Sequence, residues 1–86
     1  MTRTLHIIKS AGAVHPWDLL AQQTAPAQSS SVVLIQDAVT AQRSGPFPIF
    51  ALARDVRTRG ADTPYPVIDD DRFLEMIWEA DSVVVW

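Results

Sequence analysis

The chain has 86 residues, no cysteine, 48% hydrophobic residues and a formal net charge of −3. Without cysteine it forms no disulfide and no thiolate metal site, and with a pI near 5.0 it lacks the basic footprint of a free-standing nucleic-acid binder. A domain of this size buries only somewhat more than ~60% of its unfolded surface, so the apolar surplus, which includes three tryptophans, marks a subunit that completes its burial by association.

Residues 4–9 (TLHIIK) read as a first strand, broken by the small residues Ser10, Ala11 and Gly12. Pro16 then suits the first position of a helix over residues 16–23, where its missing N–H is no loss. Residues 31–41 hold the strongest signal in the chain. Val32, Val33, Leu34 and Ile35 form a continuous β-branched-rich run, the pattern of a parallel strand buried on both faces. Gln36 and Asp37 follow at its carboxyl end, the edge where open α/β sheets place ligands and partners. Asp37 also fits the N-cap of a brief helix over residues 38–42.

Two prolines keep residues 43–48 (RSGPFP) out of a helix. Residues 49–53 (IFALA) make a third strand, and residues 54–59 a helical turn stopped by Gly60, with Asp55 and Arg59 spaced as a local ion pair. Val67 and Ile68 form a short fourth strand. Asp69, Asp70 and Asp71 open the last helix, where carboxylates satisfy unpaired N–H groups and oppose the helix dipole. Phe73, Leu74, Ile77 and Trp78, widened by Met76, form a stripe too broad for one face, so part of it is expected to meet another chain. Residues 82–86 (SVVVW) close the sequence as a fifth strand. This alternation gives a single α/β domain over residues 1–86: five strands in a mostly parallel sheet covered by helices.

No run approaches the roughly 18 apolar residues of a membrane span, and the apolar run after the first charges is too brief for a signal peptide. A cytoplasmic location is the expectation, with no membrane contact. Charge is segregated: Arg43, Arg54, Arg57 and Arg59 face only Asp55, whereas six acids between Asp69 and Asp81 face only Arg72. Such opposed patches suit contacts between unlike surfaces.

Catalytic signals are weak. Ser10, His15 and Asp18 lie close in sequence, but no strand–elbow–helix motif frames the serine. The two histidines show no zinc spacing, and His6 reads as a packed strand residue. With three glycines and neither G-x-G-x-x-G nor a P-loop, no phosphate-cradling device is present. The expectation is no catalytic residue, no metal and no cofactor.

Four segments, LHIIKS, VVLIQDAVTA, IFALARDVRTRG and VIDDDRFLEMIWEADSVVVW, together resemble the DsrH/TusB family of sulfur-relay subunits. That family closes its leucine-histidine first strand on a serine, follows an apolar strand with Gln/Glu-Asp-Gly-Val, and ends near a terminal tryptophan. The match runs from Leu5 to Trp86. It departs at Ala38, where the family prefers glycine, and at Asp70, where it has tyrosine. The resemblance implies a DsrEFH-like fold, a three-layer α/β/α domain on a five-stranded parallel sheet, and a heterohexamer of the TusBCD type, built with homologous DsrE/TusD-like and DsrF/TusC-like subunits. That complex relays persulfide sulfur from donor proteins toward 2-thiolation of the tRNA wobble uridine. In sulfur-oxidising bacteria the related complex serves dissimilatory sulfur metabolism. Some DsrH members carry a cysteine in the first helix; residues 16–23 have none, which favours the tRNA-thiolation type.

The expected role is a non-catalytic structural subunit, linked only indirectly to tRNA. Its partner-facing or family-motif residues are Gln36, Asp37, Asp55, Arg59, Gly60, Trp78 and Trp86, and both tryptophans are expected to be more exposed than core residues. The alternative, from a different class, is a homo-oligomeric module binding a small ligand through Gln36, Asp37 and Arg54.

Overall fold

In the computed structural model, which describes residues 3–10, 12, 30–40 and 47–86, the dominant apolar run becomes the middle strand of a parallel sheet. The five strands are β1 (Thr4–Ile8), β2 (Ser30–Leu34), β3 (Ile49–Leu52), β4 (Val67–Ile68) and β5 (Ser82–Val85), in the order β4-β3-β2-β1-β5. Every pairing is parallel. β2 is apolar without interruption because both its faces are covered. Val32 and Leu34 enter one core with Ile8, Ala38, Val39 and Ile49, while Val33 enters the other with Leu5, Ile7 and Met76.

A 3-10 turn (Gln36–Thr40), helix α1 (Ala53–Arg59) and helix α2 (Asp70–Glu79) complete the described elements. Val56 of α1 packs on the first core, whereas Phe73 and Ile77 of α2 pack on the second, so helices cover both faces and the domain has three layers. Right-handed crossovers dictate this division. The path β3–α1–β4 steps outward along the sheet, and β4–α2–β5 returns across it to the far edge, so α2 must lie on the opposite face.

The helix ends follow their chemistry. Gly60 terminates α1 at φ 57°, a left-handed conformation that side chains disfavour, and N–H groups of Gly60 and Ala61 close onto Arg57 and Val56 carbonyls at 3.2 and 3.0 Å. Asp69 caps α2, its Oδ1 accepting the Arg72 backbone N–H at 2.8 Å.

Several expectations change in detail: β1 ends at Ile8 rather than Lys9, and Ala53 opens α1 rather than closing β3. The apolar run begins its strand earlier, at Ser30, and Ile35 leaves it. Asp37 is not an N-cap: the chain turns at Gln36, which takes a left-handed φ of 51°, and Asp37 lies inside the 3-10 turn. Trp86 lies just past β5, although its backbone N–H still donates to the Ile7 carbonyl at 2.8 Å. The expected helix over residues 16–23, His15 and Asp18 lie outside the described residues, as do residues 41–46. Among the described residues no helix is long and apolar enough to cross a membrane.

Candidate functional site

The left-handed Gln36 carries the chain sharply off the carboxyl end of β2, so the carboxylate of Asp37 projects toward the end of α1. Arg59 Nε donates to Asp37 Oδ1 at 2.8 Å, and its Nη1 lies 3.4 Å from Asp55 Oδ1 one helical turn earlier. One guanidinium thus ties β2's exit to α1. Gly60 follows immediately and ends the helix. Gln36, Asp37, Asp55, Arg59 and Gly60 therefore form one corner; the sequence indicates only the Asp55–Arg59 pair, and the Asp37–Arg59 contact comes from the fold. Its groups are charge-paired. The Asp37 carboxylate is 74% exposed, while that of Asp55 is 13% exposed, so the corner's inner half is a structural tie and its outer half faces solvent.

Arg54 lies elsewhere. The loops leaving β3 and β4 turn to opposite faces, and at such a reversal a crevice opens at the carboxyl edge. Ala53, Arg54 and Arg57 line one wall, and Asp69, Asp70 and Asp71 the other. Arg54 Nη1 lies 3.7 Å from Asp70 Oδ2 across it. Basic and acidic segments that looked like separate patches in the sequence thus meet here, and Arg54 is engaged with Asp70 rather than with Gln36 and Asp37. Among the described residues no group of three or more histidine, aspartate or glutamate side chains is placed to hold a metal ion.

The two selected tryptophans have different surroundings. Trp86 is half-buried against the α1-side core and stacks on His6, ring centroids 6.2 Å apart. Its indole Nε1–H donates to His6 Nδ1 at 3.2 Å, which fixes His6 as the neutral tautomer protonated on Nε2. That Nε2 is buried and meets no partner among the described residues. Burial lowers the His6 pKa from its ordinary 6.5, because the cation loses its hydration. In the pH range below 6.5 the unfolded chain binds the extra proton before the folded one does, so stability falls as pH falls through that value. Chemical denaturation across this range is expected to show the loss, and His6→Asn to remove its share of the slope. An identical slope in the variant contradicts the assignment.

Trp78 is the outward residue. It is 90% exposed, and Leu74, one turn before it, is 62% exposed. Phe73, Met76 and Ile77 turn toward the sheet, so the broad stripe of α2 divides into a packed face and a bare one. Among the described residues no strand pairs with the outer edge of β5. Val83 and Val85 are 40% and 56% exposed, and β5 carries neither proline nor charge to discourage pairing. By register these two valines lie opposite Leu5 and Ile7, whose side chains enter the core on the α2 side. Leu74 belongs to the stripe whose breadth in the sequence already points to a second contact, whereas Val83 and Val85 read from sequence only as part of an apolar strand. The spacing of Leu74 to Trp78 carries the signal for the first, since residues four apart on a helix share a face. For the valines the signal is their place on an edge, which only the strand order reveals.

No protein-family model matches the chain, and no curated protein is significantly similar to it.

Proposed function

We propose that the chain is a docking subunit of a hetero-oligomeric sulfur-relay assembly of the TusBCD type, acting in the cytoplasm toward 2-thiolation of the tRNA wobble uridine. The observation that carries the docking role is the bare Leu74–Trp78 face of α2, with the uncharged β5 edge open beside the same sheet face. Exposed apolar surface rimmed by polar residues is a mark of interaction sites, and tryptophan is among the residues enriched as interface anchors. The sulfur-relay assignment rests on the sequence resemblance running from Leu5 to Trp86. The chain has no thiol, so a persulfide carried by such an assembly resides on a partner's cysteine. The homologous DsrE/TusD-like and DsrF/TusC-like subunits are the proposed partners.

Deletion of the reading frame in its host tests the assignment. Nucleoside mass spectrometry of bulk tRNA is expected to show loss of 2-thiouridine at the wobble position, restored by the intact gene. Unchanged thiolation overturns the tRNA role, and loss of sulfur oxidation in its place assigns the chain to the dissimilatory branch.

A further inference from the structure

The bare face of α2 has a definite chemistry. Asp71, Leu74, Glu75, Trp78 and Glu79 line one shallow groove of about 390 Å3, two apolar side chains among three carboxylates. Arg72 Nη1 reaches Glu75 and Glu79 at 3.0 and 3.5 Å, so a single guanidinium serves two of the three. Asp71 makes no ion pair among the described residues. An aromatic face left in water beside excess negative charge is complementary to a side chain with an apolar stem and a cationic head. Arginine meets that description best, stacking on the indole while donating to carboxylates.

We propose that this groove receives an arginine-bearing amphipathic segment of a protein partner, its guanidinium laid over Trp78 and directed to Asp71 and Glu75. The inference rests on the reading of the chain as one subunit of an assembly, and adds the chemistry of its neighbour. Charge decides among occupants. A second copy docking through the same face sets this acidic helix against itself, which repels. Anionic lipid and nucleic acid are repelled likewise. A partner with arginines flanking an apolar contact gains on both counts.

Isothermal titration of the full chain with two synthetic amphipathic peptides tests this. The peptides are identical in their leucine face and differ only in flanking charge, arginine in one and glutamate in the other. The arginine peptide is expected to bind, with affinity falling as salt rises, and Trp78→Ala and Asp71→Asn each to weaken it by about tenfold or more. Equal binding of both peptides, no binding of the arginine peptide, or indifference to Trp78→Ala overturns the proposal. So does self-association that Trp78→Ala abolishes, or binding to phosphatidylglycerol vesicles. Both positions are exposed, and circular dichroism checks the fold; if Trp78→Ala loses it, Leu74→Gln interrogates the same groove. Failure of the arginine peptide with tRNA thiolation still dependent on the gene removes this inference alone. Binding of that peptide with thiolation unaffected removes the sulfur-relay role and leaves the groove.

Discussion

Replacing Leu34 with alanine is expected to lower the melting temperature by more than about 10 °C, the largest single-residue effect in the chain. Leu34 is 0% exposed at the carboxyl end of the middle strand, packed in the core shared by β1, β2, β3 and the 3-10 turn. Neighbouring strands hydrogen-bonded on both sides hold the backbone there, so the cavity left by truncation cannot collapse. Such a change costs about 2–5 kcal/mol. A chain of 86 residues has little to spare, since net stability runs at roughly 0.05–0.15 kcal/mol per residue. Leu34→Met keeps the volume and is expected to cost less than about 1.5 kcal/mol. Differential scanning calorimetry separates the two variants, and a melting temperature for Leu34→Ala within about 2 °C of the parent contradicts the packing described.

Trp78→Ala is expected to do the reverse, leaving the isolated chain intact and weakening the assembly proposed for it. At 90% exposure the indole contributes almost nothing to the monomer's burial. Its removal is expected to change unfolding free energy by no more than about 0.5 kcal/mol. At an interface, a central tryptophan is worth about 2 kcal/mol or more, equivalent to roughly thirtyfold in Kd. Denaturant unfolding of the chain alone and a titration with the proposed partner subunits read the two quantities separately. A variant that melts early but assembles normally places Trp78 in the fold and refutes the docking face.

Much of this arrangement is legible in the residues because local chemistry and tertiary position agree. The unbroken Val32–Leu34 run requires cover on both faces and has it. Asp69 before a helical stripe, and Gly60 after α1, act as the caps their residue types suit. Asp37 shows the limit of local reading. By position it suits a cap, yet Gln36 absorbs the turn in a left-handed conformation and frees the Asp37 carboxylate for Arg59, 22 residues away. No spacing rule reports a contact at that separation. The breadth of the α2 stripe signals a second partner, but which half is bare depends on where the sheet lies. The crevice between Arg54 and Asp70 depends in turn on the chain's return from β4 to the far edge, a topological fact absent from any local window.

Docking of the uncovered α2 face on a partner subunit is read most directly by native mass spectrometry of the chain co-expressed with the DsrE/TusD-like and DsrF/TusC-like subunits proposed as its partners. The expected result is a hetero-oligomer containing this chain, from which the chain carrying Trp78→Ala dissociates while remaining folded. A chain that stays monomeric in the presence of both partners, or a complex indifferent to the loss of Trp78, contradicts it.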